Sequence, residues 1–282
     1  MKTIKFYKIQ ASGNDFILIE AINAGSLKKI PYSKLARNVC ERKLGAGADG
    51  LLVIEPSRKA DFKMRIFNSD GSEAEMCGNG ARCAAFWYGL KYPRRKTGAI
   101  NFETKAGIIA SKALSGRGNA GIRMKMTEPF GLKQDLAVKV FGKDVGFSFI
   151  NTGVPHAVVF VYGLDRIDIE EIGREIRFHK KFAPAGTNVD FVEVLGEDLI
   201  KIRTYERGVE SETLACGTGC IASAIVSSLK LKPQLSRSKI KMNVRVKSNE
   251  VLKVYFDRNK RDISNVWLEG KVSLVYKGEF VL

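Results

Sequence analysis

SETLACGTG, residues 211–219, repeats the pattern of SEAEMCGNG, residues 72–80. Both stretches read Ser-Glu, three variable residues and then Cys-Gly-x-Gly, and they lie almost half of the 282-residue chain apart. A second copy at that distance indicates an internal repeat. The sequence is therefore interpreted as two homologous halves, each with one cysteine motif.

The repeat extends beyond the cysteine motifs. GNDFILIE at 13–20 matches GVPHAVVF at 153–160, and GAGADGLLVIE at 45–55 matches PAGTNVDFVEV at 184–194. After each cysteine comes a helix-like apolar stretch that ends at a proline, GARCAAFWYGLKY (80–92) and GCIASAIVSSLKL (219–231). The remaining sequence is rich in short β-prone runs broken by glycine, asparagine and proline.

These patterns predict an α+β fold of two homologous halves related by a pseudo-twofold axis. Each half is expected to be a strand-rich, barrel-like sheet wrapped around a central apolar helix. We expect the N-terminal half to span 1–119 and the C-terminal half 120–270, with a linker at 114–121. The last residues, about 271–282, have the pattern of a strand that returns to the first half.

The composition is basic, with 47 lysines and arginines against 30 acidic residues and a net charge of +17. Such a charge favours an anionic partner, nucleic acid included. The densest basic stretch, KIKMNVRVK at 239–247, alternates basic and mostly apolar residues, which indicates a half-buried strand with a solvated face. We therefore expect a basic surface and no specific nucleic-acid partner.

The sequence gives no sign of export or of membrane insertion. MKTIKFYKIQASGNDF, at the start, lacks the apolar stretch of a secretory signal, and no apolar run approaches the roughly 18 residues of a spanning helix. The five cysteines are an odd number, which argues against a disulfide framework. We expect a cytoplasmic protein that does not interact with membranes.

Each motif cysteine precedes a helix at a glycine-rich turn. A helix start carries unpaired N–H groups and a partial positive charge, which bind anions and stabilise a thiolate. One such cysteine would suggest a nucleophile. Two in symmetrical positions suggest a racemase or epimerase, in which one sulfur removes a proton from a carbon and the other returns one to the opposite face. In principle this reaction needs no metal or coenzyme.

The longest motifs resemble those of the diaminopimelate epimerase family. They are SGNDF (12–16), NSDGSEAEMCGNGARC (68–83), NTGVPHAVVF (151–160), GTNVDFVEV (186–194) and ERGVESETLACGTG (206–219), and together they span both halves. The resemblance implies a homodimeric, cofactor-independent isomerase. Its reaction would interconvert LL- and meso-2,6-diaminopimelate in lysine and cell-wall precursor biosynthesis.

The resemblance also implies roles for individual residues. Cys77 and Cys216 would be the acid/base pair. His156 and Glu206 would support the reacting centre, and Glu206 would also bind the α-amino group. The other substrate-binding residues fall into two groups. The group that would bind the reacting carboxylate is Gly78, Asn79, Gly217 and Thr218. The group that would bind the distal end of the substrate is Asn14, Asn68, Asn151, Asn188 and Arg207.

Other interpretations of the same residues stay open. His156 could be a packed, hydrogen-bonded histidine, and asparagines are common turn residues. Another amino acid, proline for example, could be the substrate. Zinc is disfavoured, because Cys77 and Cys83, or Cys216 and Cys220, do not have the usual structural spacing and the chain has only two histidines. We expect no metal site.

Overall fold

Strands make up most of the structure, a computed structural model that describes residues 3–21, 31–93, 99–114 and 119–281. The chain divides into two units, Met1–Met124 with Gly270–Leu282, and Lys125–Glu269. The linker predicted at 114–121 includes residues 115–118, which lie outside the described residues. Among the described residues, no helix is both long and apolar enough to cross a membrane.

Among its described residues, the first unit holds one sheet and two α-helices. The helices are α1 (Tyr32–Cys40) and α2 (Gly78–Lys91). The strands are β1 (Thr3–Ala11), β2 (Asn14–Glu20), β3 (Gly50–Glu55), β4 (Phe62–Asn68), β5 (Glu73–Ala74), β6 (Ala99–Thr104), β7 (Gly107–Ala113), β8 (Asn119–Lys125) and the end of β17 (Asp262–Val281). The sheet runs β1–β2–β3–β4–β6–β7–β8, and it closes because β17 pairs with both β1 and β8.

The second unit repeats this plan. Its helices are α3 (Ile169–Arg177) and α4 (Gly217–Leu231). Its strands are β9 (Phe130–Val140), β10 (Lys143–Asn151), β11 (Pro155–Phe160), β12 (Asn188–Gly196), β13 (Leu199–Glu206), β14 (Ser211–Thr213), β15 (Arg237–Arg245), β16 (Val251–Asn259) and the start of β17. The sheet runs β9–β10–β11–β12–β13–β15–β16–β17, with β14 paired to β13.

An apolar helix forms the core of each sheet. α2 packs against β1, β2, β3, β4 and β7, and α4 packs against β10, β11, β12, β13, β15 and β16. Both helices are buried over most of their length. The buried residues of α2 are mainly alanines and aromatic residues, and those of α4 are mainly alanines and aliphatic residues. The predicted α+β halves, each a sheet around a central apolar helix, are confirmed.

Both central helices end as the sequence predicts. The N–H of Tyr92 donates to the carbonyl of Tyr88, and the N–H of Lys232 donates to that of Ser228. A proline follows each of these residues. Because proline disfavours the helical conformation in the residue before it, neither helix continues.

Strand pairing gives the residue-by-residue correspondence of the two units. Phe16 in β2 pairs in parallel with Gly50, and His156 in β11 pairs in parallel with Asn188. Two residues after Gly50 in β3, Leu52 pairs with Ile66 of β4. Two residues after Asn188 in β12, Asp190 pairs with Thr204 of β13. Phe16, Leu52 and Ile66 of the first unit therefore correspond to His156, Asp190 and Thr204 of the second.

Candidate active site

Cys77 is the N-cap residue of α2. Its backbone is extended, with φ −141° and ψ 122°, and the helix begins at the next residue. The side chain is half-buried, and Sγ lies 4.0 Å from Oδ1 of Asn14. An ideal Cβ on Gly78 would meet nothing within 4 Å, so the backbone at the first helical residue is open to a ligand. The structure thus brings Asn14, Cys77 and the start of α2 together.

Asn79 is held by a buried arginine that the sequence interpretation missed. Nη2 of Arg82 donates to Oδ1 of Asn79 at 2.6 Å and to Oγ of Ser12 at 2.8 Å. Arg82 is 1% exposed, although it lies in an otherwise apolar helix. A single arginine within GARCAAFWYGLKY is the sequence signal that could have identified it. The contact fixes the first turn of α2 to the loop after β1.

A charged cluster supports Asn14 from the side away from Cys77. Nδ2 of Asn14 donates to Oδ2 of Asp49 at 2.9 Å, and the N–H of Asp49 donates to Oδ1 of Asp15 at 3.0 Å. Nζ of the buried Lys8 lies 2.6 Å from Oδ2 of Asp15, and Arg42 contacts both carboxylates. Burial tends to raise the pKa of Asp15, but hydrogen bonds from Lys8 and Arg42 outweigh it and lower that pKa to about 2.

This cluster predicts a specific loss of stability in acid. A carboxyl whose pKa is lower in the folded state stabilises the fold above its ordinary pKa, and that contribution disappears as the pH falls through the folded value. For Asp15 the window runs from 3.8 down to about 2. Asp15→Asn should therefore unfold at lower denaturant concentration than the wild type near neutral pH, since the buried Lys8 loses its carboxylate partner. The difference should shrink towards pH 2; a constant difference would contradict the assignment.

Asn68 lies at the end of β4, in the turn that leads to the first cysteine motif. Its Nδ2 donates to Oγ of Ser72 at 2.9 Å, and its N–H donates to the carbonyl of the same serine. Gly71 has a φ of +86° in this turn, a backbone angle that favours glycine. Asn68 thus has a structural contact of its own, and its side chain is exposed.

Cys216 is the N-cap residue of α4, as Cys77 is of α2. Its backbone is extended, with φ −110° and ψ 112°, and its side chain is buried. Sγ lies 3.4 Å from Oγ1 of Thr218, and Oγ1 of Thr152 donates to the Thr218 carbonyl at 3.0 Å. Asn151 lies beside this contact in the chain, and its Oδ1 accepts from the N–H of Gly153 at 2.9 Å.

The pKa of the Cys216 thiol is raised well above its ordinary value. Burial is the largest cause, followed by the negative charges of Glu206 and Asp190. Hydrogen bonds from Thr218 and from the Gly219 N–H act in the opposite direction without overcoming them. Burial also raises the pKa of Glu206, against a hydrogen bond from Thr213 at 3.0 Å. This site therefore favours the neutral thiol.

A hydrogen-bonded chain joins five further residues of the second unit. Asn188 accepts, through Oδ1, the backbone N–H of Arg207 at 2.7 Å. Its Nδ2 lies 3.4 Å from Nε2 of His156, whose Nδ1 lies 2.7 Å from Oδ2 of Asp190. Oδ1 of Asp190 accepts from Oγ1 of Thr204 at 2.7 Å. His156 and Asp190 are fully buried, and Nη1 of Arg207 donates to the Ala185 carbonyl at 3.3 Å.

The structure therefore brings the predicted residues together in two groups. One group surrounds the start of α2, and the other surrounds the start of α4; Asn68 stands apart in its own turn. Asp190 and Thr204 belong to the second group and were missed. The sequence signal for Asp190 is a carboxylate between Val189 and Phe191 in a β-prone run. Within the part of the chain that the structure describes, no three His, Cys, Asp or Glu side chains cluster as a metal site would require.

Known proteins share both the sequence and the fold. A family model described as diaminopimelate epimerase matches residues 6–130 and 148–275. The protein named diaminopimelate epimerase in Aquifex aeolicus is 45% identical over 98% of this chain and 97% of its own length. The chain belongs to the diaminopimelate epimerase family. A second family member, from Caldanaerobacter subterraneus, is 42% identical over 98% of this chain and 99% of its own length.

Solved structures show that the family's fold is shared more widely. A phenazine biosynthesis protein of the PhzF family from Bacillus anthracis superposes with a TM-score of 0.77 over 100% of both chains, at 18% identity. A probable proline racemase from Agrobacterium radiobacter superposes with a TM-score of 0.69 over 99% of this chain and 93% of its own, at 14% identity. At these identities the likeness concerns the fold alone.

Proposed function

We propose that this protein is an isomerase that interconverts LL- and meso-2,6-diaminopimelate by moving a proton at one α-carbon. The observation that carries the proposal is the pair of cysteines, each the N-cap residue of a buried helix in one of two homologous units. Membership of the diaminopimelate epimerase family supports the substrate. The reaction belongs to lysine and cell-wall precursor biosynthesis, and we place it in the cytoplasm.

In this mechanism one sulfur acts as the base and the other as the acid. A thiolate takes the α-hydrogen as a proton, which leaves the electron pair on the α-carbon and its carboxylate. The thiol of the other cysteine then donates a proton to the opposite face, so the configuration inverts and the charge on the two sulfurs is exchanged. Both sulfurs must reach the same carbon for this to occur.

The first turns of the two helices are suited to the reacting carboxylate. The N–H groups of Gly78 and Asn79, and of Gly217 and Thr218, belong to the unpaired donors at a helix start. Such donors, together with the helix dipole, favour a carboxylate and the negative charge that develops when the proton leaves. The half-buried Glu206 and the buried His156 lie by the second helix start and support the α-amino group and the reacting centre.

The distal end of the substrate carries a second ammonium and a second carboxylate. Asn14, Asn68, Asn151 and Asn188 offer amide donors and acceptors for these groups. Arg207 offers a planar guanidinium that pairs with a carboxylate through two hydrogen bonds. Its position is fixed by the contact of its backbone with Asn188. A proline-like substrate has no distal charged end, so these residues favour diaminopimelate.

We also propose that the protein acts as a homodimer without metal or coenzyme. Nucleic acid is not expected as a specific partner despite the net charge of +17. Generic binding to DNA or RNA would depend steeply on salt concentration and should vanish near physiological ionic strength.

The proposed reaction is tested by proton exchange in heavy water. Reduced protein is incubated with LL-diaminopimelate and a chelator, without added cofactor, and deuterium and stereochemistry are followed together. We expect deuterium at the α-carbon of the meso product. If LL-diaminopimelate stays unlabelled while proline or hydroxyproline exchanges, the substrate assignment is wrong; loss of activity in chelator alone would contradict metal independence.

A further inference from the structure

The surroundings of the two cysteines differ in charge, although the two units share a fold. Beneath the start of α2 lie Phe16, Leu52 and Ile66, all apolar and buried. The same three positions beneath α4 are His156, Asp190 and Thr204, all polar and buried. An ideal Cβ on Gly80 would meet Ile66 and Leu52 at 3.1 Å, whereas one on Gly219 would meet Oδ1 of Asp190 at 2.3 Å.

The carboxylate of Asp190 therefore packs directly against the first turn of α4. The partial positive charge at a helix start stabilises a nearby negative charge. At the start of α4, the carboxylate of Asp190 already supplies that negative charge. A thiolate on Cys216 would add a second negative charge in the same buried region. Like charges at buried positions disfavour each other strongly.

The contacts around His156 direct its Nδ1 towards Asp190. Because Oδ1 of Asn188 accepts the Arg207 N–H, the Asn188 amide nitrogen must face Nε2 of His156. On the other side of the ring, Nδ1 of His156 donates to Oδ2 of Asp190 at 2.7 Å. This contact holds the Asp190 carboxylate in place beneath the first turn of α4.

The first unit carries the opposite charge at its helix start. Arg82 is buried in α2 and donates to Asn79, two residues after Cys77. Its Nε and Nη1 are buried and find no hydrogen-bond partner among the described residues. The corresponding residue of α4, five positions after the cysteine, is Ile221. The buried cation Arg82 therefore lies in α2, which follows Cys77, whereas the buried anion Asp190 lies in the sheet beneath α4, which follows Cys216.

We infer that Asp190 is a positioning residue that makes Cys216 the resting thiol and leaves Cys77 as the resting thiolate. The charged groups near Cys216 support this: Glu206 on β13 and Asp190 on β12 add negative charge, and His156 on β11 donates to Asp190. The free enzyme is thus poised to take the proton that faces Cys77. The inference rests on the proposed function, since it assumes that both cysteines act as acid and base.

The test is a substrate-free titration of each cysteine by the ultraviolet absorbance of its thiolate. Cys77→Ser isolates Cys216, Cys216→Ser isolates Cys77, and the double variant supplies the background of the other three cysteines. We expect Cys77 to titrate at lower pH than Cys216 in otherwise wild-type protein. A lower midpoint for Cys216 would overturn the inference, whatever the Asp190 variants do.

Asp190→Asn then tests the cause of the difference. It should lower the midpoint of Cys216 by about one pH unit or more, the usual effect of one close like charge, and leave Cys77 unmoved. Thr204→Val is the matched control, because it removes a hydrogen bond to Asp190 but keeps its charge, so Cys216 should not shift downwards. An unchanged Cys216 in Asp190→Asn, or equal shifts at both cysteines, would contradict the inference.

These results separate the inference from the proposed reaction. The titration contains no substrate, so it reports on the two thiols even if diaminopimelate is not turned over. Proton exchange in heavy water reports on the reaction even if the two thiols titrate alike. Failure of one experiment therefore leaves the other result interpretable.

Discussion

Replacing either Cys77 or Cys216 with alanine is expected to reduce epimerisation by about a thousand-fold or more, because general acid and base catalysis each contribute on the order of 10²–10⁴. Inversion needs one group on each face of the α-carbon, so the remaining cysteine cannot complete the reaction alone. The measurement is conversion of LL- to meso-diaminopimelate by purified single variants. Near-normal conversion by either variant would show that the two-base assignment is wrong.

The matched control for this prediction is Cys83→Ala. Cys83 lies in the same helix as Cys77, is fully buried and occupies no helix start. Its replacement removes one sulfur from the core, with a modest cost in stability and no expected loss of the proton-transfer step. A thousand-fold loss in Cys83→Ala would mean that changes in the packing of α2, and not removal of a base, explain the Cys77 result.

How much of this site could be predicted from sequence depends on the kind of signal that each residue carries. Cys77 and Cys216 stand in a long duplicated motif, so both the helix starts and the sheet around each helix were predicted correctly. Asp190 stands in the motif GTNVDFVEV, but the motif does not mark its carboxylate as buried. It is one carboxylate in NVDFVEV, where an exposed position on the strand would look the same, and its burial depends on pairing with Thr204 across strands.

Arg82 was missed for a related reason. An arginine near the end of a glycine-rich motif normally points to solvent, because burying a charge without partners is costly. Its burial depends on two acceptors of its hydrogen bonds, Ser12 in the loop after β1 and Asn79 in the first turn of α2. Local patterns identify the elements of this fold, whereas the charges beneath the two helix starts are decided by contacts between distant segments.

Gly219→Ala is the second substitution for which we expect a large effect. A Cβ at this position would lie 2.3 Å from Oδ1 of Asp190 and 3.3 Å from Oγ1 of Thr204. Both atoms are buried and hydrogen-bonded to each other, so neither can move without breaking that bond. Overpacking and a broken buried hydrogen bond each cost on the order of 1–3 kcal/mol, and we expect a loss of about 2–5 kcal/mol in the free energy of unfolding.

Gly89→Ala in α2 is the matched control, since it makes the same change inside the other central helix. Its Cβ would meet Ala113 at 3.5 Å and Ile100 at 3.9 Å, which are ordinary contacts. Alanine also favours the helix over glycine by about 0.8–1.0 kcal/mol, so Gly89→Ala should be neutral or stabilising. The measurement is the free energy of unfolding of both variants, obtained by denaturant titration. If Gly219→Ala is as stable as Gly89→Ala, then Asp190 does not pack against the first turn of α4, and the electrostatic difference between the two cysteines loses its structural basis.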